Sequence, residues 1–371
     1  MINFGKILKR AWHILWNYRV LWIFGVLLAI TGGGRGGGNG GGGNSGYQFN
    51  GGNGYQGVTS STNPTVQELN QWFQQNIEPL VQYPAQHIAT FVWIGVSLIL
   101  FILVVGILFA LVRYPSETAV IRMVDEYEQT GTKVGFKQGW KMGWNRRAFR
   151  VWVIDLVVSL PVILLLVVLG GLGLLIYLNV KNGSQAAIAT SVIASVGCAF
   201  LFIFAFIVLM VLLGLLRQFF VRAAALENNR IGDSFRKGWE MFKRNWKSAA
   251  LMWLIMLGIG IASGIVMLIV FFLLIPAYLV LLLPAAIVAA IPGLAVFGIT
   301  SIFAGGPLAW ILGLIAAVPF FFVVVFAPMG LVSGWYMIYE SNVWTLTYRE
   351  MIAMESVAPA DIQAQEKIPA P

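Results

Sequence analysis

Six stretches of the chain are apolar almost without interruption: residues 17–31, 91–113, 151–178, 188–216, 249–275 and 307–338. A helix needs about 20 mostly apolar residues to cross a bilayer, so this pattern predicts a membrane bundle. At 371 residues the chain could hold two soluble domains. However, only 11% of its residues are charged and 58% are hydrophobic, against about a quarter charged in a soluble domain. Such a chain cannot cover a water-facing surface, and it is too hydrophobic to be disordered. The first span is short, and His13–Trp16 extends it as an interfacial turn. Residues 1–31 also admit a signal peptide with Lys6, Lys9 and Arg10 as its charged start. Their tryptophans, and their likeness to two internal segments, favour a retained span.

Charge sets the expected direction. All but Arg35 and Lys181 of the 24 basic residues fall in the start, the segments 113–150 and 217–247, and the tail. Basic loops stay on the cytoplasmic side. We therefore expect an even number of spans, both termini cytoplasmic, in the plasma membrane, with a bacterial inner membrane the natural setting. The net charge of +9 is then topological, and nucleic-acid binding is not expected. Residues 276–306 are apolar but carry Pro276, Pro284 and Pro292. A re-entrant or interfacial hairpin on the outer side fits them best, because irregular backbone at membrane depth has to be buried in protein. Two further spans would also keep the parity.

Three segments resemble one another. Phe4, Leu8, Trp12 and Trp16 precede Asn17; Phe136, Trp140 and Trp144 precede Asn145; Phe235, Trp239 and Phe242 precede Asn245 and Trp246. Spacing by three or four puts the rings on one helical stripe. Basic residues flank the stripe, among them Lys9, Lys137, Lys141, Arg236 and Lys243. A small residue, Ala11, Gly139 or Gly238, precedes the marked tryptophan each time. These are the features of a helix lying in the membrane interface, rings at headgroup level and cations toward anionic lipid. The elbow into the bilayer then falls at the asparagine. Trp12, Trp16, Lys137, Trp140, Lys141, Trp144, Arg236, Trp239 and Lys243 are the candidate lipid-interface residues. Anchoring and topology setting account for them most simply, and lipid sensing or binding is the sharper reading. The expected unit is one such helix plus two spans, repeated in parallel: residues 1–113, 114–217 and 218–340, followed by a tail, 341–371. Three parallel two-span units match mitochondrial carriers in plan only, since the Pro-acid-basic signature of those carriers is absent.

The run Val221-Arg-Ala-Ala-Ala-Leu-Glu227, with Asp233-Ser-Phe-Arg-Lys-Gly-Trp239 and the closing Val343-Trp-Thr-Leu-Thr-Tyr-Arg-Glu350, resembles a pattern in uncharacterised bacterial polytopic proteins. It is similar to the membrane domain fused to some glycerophosphodiester phosphodiesterases. The resemblance implies a multi-helix inner-membrane protein with no assigned chemistry. The phosphodiesterase part, which needs clustered His and acidic residues, is missing.

Little else in the chain points to chemistry. Cys198 is the single cysteine, expected as a buried small residue, and His13 and His87 are the only histidines. No metal site, cofactor or catalytic set is expected, and Ser159, Ser191, Ser195 and Ser263 have no partnered base. Residues 32–57 hold 15 of the 41 glycines and read as a flexible outer loop without the Gly-Lys-Ser/Thr ending of a phosphate cradle. Val66–Ala89 reads as an amphipathic helix interrupted by Pro79 and Pro84. Asp155 is the notable charge inside a span, and pairing with Arg19, Arg146 or Arg150 is expected. Gly170, Gly171, Gly173, Gly260 and Gly264 are expected to allow close helix contact, and Pro161, Pro319 and Pro328 to kink their helices. The expected fold is an all-α polytopic bundle of about six spans. The expected function is a non-enzymatic membrane protein supporting envelope or lipid organisation, with the bilayer, anionic lipid above all, as its partner. The alternative is a transporter or lipid translocator with a site between kinked helices.

Overall fold

A computed structural model of the chain describes residues 2–32, 71, 88–182, 185–227, 229–303 and 307–366. The glycine-rich loop, the predicted 66–89 helix except for its last two residues and residue 71, and His87 lie outside the described residues. Among these residues the regular structure is all helical: α1 (Phe4–Asn17), α2 (Val20–Ile30), α3 (Ile88–Thr130), α4 (Phe136–Gly143), α5 (Arg146–Asn182), α6 (Gln185–Leu226), α7 (Ile231–Arg244), α8 (Trp246–Leu273), α9 (Ile275–Phe303), α10 (Pro307–Val325) and α11 (Ala327–Glu366). Five of the described helices are long and apolar enough to cross a membrane, and seven spans result if two bent pairs each count as one. The bent pairs are α1 with α2, at 98°, and α10 with α11, at 62°. The protein is a multi-pass membrane protein. Its long helices leave large apolar side chains open on their surfaces, such as Leu273 at 75% and Ile302 at 76% exposure. Hydrocarbon is the solvent that such a surface requires.

The chain forms two compact units. The first comprises Met1–Gly40, Ala110–Ile265 and Leu331–Pro371. Its core joins Ile14 of α1, Tyr18 at the elbow and Phe24 of α2 to Met123 of α3, Phe219 of α6, Met252 of α8 and Ile338 of α11. A second cluster packs Ile121 against Val151 and Ile154 of α5 and Val221 of α6. In lipid, apolar burial alone gives helices no reason to associate; close packing and hydrogen bonds do. The close packing is visible where α2 crosses α11. A Cβ on Gly25 would stand 2.7 Å from the carbonyl oxygen of Gly334, and a Cβ on Gly334 would stand 2.6 Å from the carbonyl carbon of Gly25. The sequence pointed to other glycines. Gly170, Gly171, Gly173 and Gly264 face open space among the described residues, and only Gly260 has a neighbour, the Tyr336 hydroxyl at 3.1 Å from its ideal Cβ. Which glycine meets a partner depends on helix crossings that glycine spacing alone does not fix. Cys198 is exposed rather than buried, on a helix whose apolar surface is lipid-facing.

The second unit comprises Gly41–Phe109 and Val266–Gly330. Within it α9 and α10 run as a tightly packed pair, with the Phe297 and Trp310 rings 4.2 Å apart. The expected hairpin at 276–306 is instead one helix of 29 residues that includes Pro284 and Pro292. Pro276 falls in its first turn, where a missing N–H costs nothing. Helical bonding carries through the preceding break: Leu274 N–H donates to the Val270 carbonyl and Tyr278 N–H to the Leu274 carbonyl, both at 2.9 Å. The chain therefore does not fold back there. Pro161 and Pro319 sit inside unbroken helices, whereas Pro328 opens α11 directly after the 62° bend.

Candidate functional site

The three aromatic segments form α1, α4 and α7, each with one face packed and one face open. The small residue of each motif lies on the packed face: Ala11, Gly139 and Gly238 are all buried. The reason is close approach. A Cβ on Gly139 would stand 2.4 Å from the Met123 sulfur of α3, and one on Gly238 would stand 2.5 Å from the Phe220 ring of α6. The α1 segment packs on α11, with Trp12 against Tyr339 at 6.0 Å and Trp16 against Trp335 at 5.5 Å. Asn17 ends α1, and Asn145 and Asn245 fall at the breaks after α4 and α7. The Asn245 side chain donates to the Met241 carbonyl at 3.3 Å, and the Asn145 side chain accepts from the Arg146 N–H at 2.6 Å.

Of the predicted interface residues, Trp12, Trp16, Lys137, Lys141, Trp144, Arg236, Trp239 and Lys243 are exposed. Trp140 is not. It is half-buried between Phe24, with centroids 6.4 Å apart, and Trp144, at 5.9 Å. Its place on the stripe points it toward α2 rather than outward. Trp246, the first residue of α8, joins the exposed set at 54%.

Several cations hold helix ends. Arg147 donates to the Ala225 carbonyl at 2.7 Å, Arg150 to the Asn229 carbonyl at 2.8 Å and Arg122 to the Met142 carbonyl at 2.6 Å. Cations suit carbonyls left open where helices end. Arg10 pairs with Glu128 at 2.8 Å, and Arg349 with Asp125, Arg244 with Glu355 and Lys237 with Glu227 form three further ion pairs. The Tyr348 hydroxyl donates to Glu227 at 2.8 Å. Tyr18 fastens the elbow between α1 and α2 to the chain before α4. Its hydroxyl accepts from the Val134 N–H at 2.6 Å and donates to the Val134 carbonyl at 2.7 Å.

A second candidate site lies inside the first unit. Arg217 of α6 donates through Nε to Asp155 of α5 at 2.7 Å and through Nη2 to Glu117 of α3 at 3.1 Å. Asp155 also accepts from the Tyr114 hydroxyl at 2.7 Å and pairs with Arg113 at 3.3 Å. Arg222, five residues further along α6, donates to the Gln218 side chain at 2.6 Å and to the Ser341 carbonyl of α11 at 3.2 Å. Glu340 and Asn342 are buried nearby on α11. This corrects the expected ion pair. Asp155 does not meet Arg19, which is exposed at the start of α2, nor is Arg146 or Arg150 its partner. On one helix a residue five positions away points about 140° round and one nine positions away about 180°, so neither arginine of α5 shares the Asp155 face. Arg113, Arg217 and Arg222 fall in the basic segments 113–150 and 217–247 that the charge pattern places outside the spans, Glu117 carries no sequence-based expectation, and Glu340 follows the end of the last predicted span. The signal that marks them is their position at the last apolar turn of a span.

Among the described residues no group of three His, Cys, Asp or Glu side chains is arranged to hold a metal ion. Ser159 and Ser263 donate to helix carbonyls, Leu156 and Gly260, both at 2.8 Å. No curated protein and no solved structure matches the chain. Residues 10–342, nearly the whole chain, match the Family of unknown function (DUF7544), and the protein belongs to that family.

Proposed function

We propose that the protein is a non-enzymatic membrane protein that organises the lipid around it, gathering anionic lipid at the cytoplasmic face of a bacterial inner membrane. The observation that carries this reading is the shared surface of α1, α4 and α7. Each packs one face on the protein and leaves tryptophans and cations outward, with Trp12 at 55%, Trp144 at 54% and Trp239 at 51% exposure. Tryptophan prefers the headgroup level, where its ring is half in hydrocarbon and its N–H is wet. Each nearby Lys or Arg adds about 1 kcal/mol of attraction to an anionic surface. The 98° bend between α1 and α2 suits a helix lying flat before one that enters the bilayer.

The test is to excise native membrane patches around the protein with an amphipathic copolymer and measure their lipids. Enrichment of anionic lipid over the bulk membrane, reduced when Lys137, Lys141, Arg236 and Lys243 are replaced by Glu, supports the reading. Unchanged composition overturns it.

A second reading, lipid translocation, is favoured by the buried charges around Arg217. Ionisable groups within spans accompany transport paths. Movement of fluorescent lipid between leaflets of proteoliposomes, above the rate in protein-free vesicles, supports this second reading over the first.

A further inference from the structure

The three amphipathic helices are not equivalent. The Arg236 cation of α7 is spoken for by Glu240 at 3.1 Å, Lys237 by Glu227 and Arg244 by Glu355. The Trp140 ring of α4 is folded inward on Phe24. The α1 sequence, like that of α4, contains no acidic residue. Arg10 is held by Glu128, whereas Lys6 and Lys9 have no acidic partner among the described residues.

Two grooves run along the outer side of α1. One, of about 670 Å³, is walled by Trp12, Trp16 and Tyr339. The other, of about 590 Å³, is lined by Asn3, Lys6 and Arg10. Lys9 and His13 line both. The order follows from helix geometry. Lys9 and His13, four residues apart, share a stripe. Trp12 and Trp16 lie to one side of it and Lys6 and Arg10 to the other. The surface therefore passes from aromatic to cationic within one helix width.

We propose that these grooves form a site for a single anionic phospholipid. The acyl and glycerol portion lies against Trp12, Trp16 and Tyr339, and the phosphate lies over Lys9 and His13, toward Lys6. Charge complementarity selects the occupant. A zwitterionic lipid would bring a choline or ethanolamine cation to a rim whose one paired carboxylate among the described residues, Glu128, is already taken by Arg10, whereas an anionic headgroup meets the unpaired Lys6 and Lys9. The site rests on the proposed interfacial placement of α1, and it differs from a general enrichment of lipid in being saturable and of fixed stoichiometry.

Native mass spectrometry of the intact protein in mild detergent, titrated with phosphatidylglycerol or phosphatidylcholine of matched chains, tests this. We expect one phosphatidylglycerol per chain to be retained at concentrations where phosphatidylcholine is not. Lys9→Gln, at an exposed position, should weaken retention about fivefold, the equivalent of one surface cation. Lys247→Gln, at an exposed position on α8 outside both grooves, should leave it unchanged. Trp12→Phe should keep the lipid better than Trp12→Ala. Equal retention of the two lipids, or an equal loss in the Lys247 and Lys9 variants, would overturn the proposal. Failure here with anionic enrichment in excised patches removes only this site. Specific retention without that enrichment removes the general reading and leaves the site.

Discussion

Arg217 and Asp155, 62 residues apart in sequence, meet at 2.7 Å through Nε and a carboxylate oxygen, both nearly sealed from the surroundings. The same guanidinium reaches Glu117, so one side chain of α6 fastens both α5 and α3. Removing one member of a buried pair leaves a charge with nothing to answer it, which typically costs about 3–5 kcal/mol. Arg217→Met should lower stability by that order, read as the thermal midpoint in detergent. Arg217→Lys keeps the charge but not the two-pronged geometry and should fall between. Adding Asp155→Asn and Glu117→Gln to Arg217→Met should recover part of the loss.

This pair also marks the limit of what the sequence could tell. Asp155 stood out as a charge within a span, but its neighbours in sequence were poor guides to its neighbours in space. The arginines of its own helix point away, and the true partner comes from the next long helix. Other features were legible. The fourfold spacing of Phe136, Trp140 and Trp144 marked α4, and the buried Ala11, Gly139 and Gly238 were visible as the small residue before each marked tryptophan. That Trp140 turns inward was not visible, because Phe24 belongs to a distant segment. The helix over 275–303 was missed because proline usually ends helices in water. Inside a membrane, where no water competes for backbone bonds, helices tolerate it.

The crossing of α2 and α11 depends on two glycines. Gly25→Leu and Gly334→Leu should each force the backbones apart. Overpacking of this kind costs about 1–3 kcal/mol, and more is expected where backbone rather than side chain must move. Gly170→Leu, which meets open space, should cost little. Thermal midpoints of the three variants in one detergent separate these outcomes.

Tyr18→Phe removes a hydroxyl that serves both backbone groups of Val134. A buried polar group left without a partner costs about 1–3 kcal/mol. The expected result is lower stability together with faster hydrogen exchange at the Val134 amide. Exchange within α3 should change less.

Lys137→Glu with Lys141→Glu should leave the thermal midpoint nearly unchanged, because both side chains are exposed and surface substitutions away from a cap or core stay within about 0.5 kcal/mol. The same change should reduce anionic lipid enrichment. The wild-type enrichment should itself weaken as salt rises, since the Debye length shrinks from about 10 Å at 0.1 M to about 3 Å at 1 M.

Quenching of tryptophan fluorescence in proteoliposomes by brominated lipid tests the central claim most directly. Brominated phosphatidylglycerol should quench more strongly than brominated phosphatidylcholine at equal mole fraction. The difference should shrink in high salt and in a variant with Lys9, Lys137, Lys141, Arg236 and Lys243 replaced by Gln. Equal quenching by the two lipids, unaffected by salt or by these substitutions, would contradict an anionic-lipid-gathering face and leave α1, α4 and α7 as anchors alone.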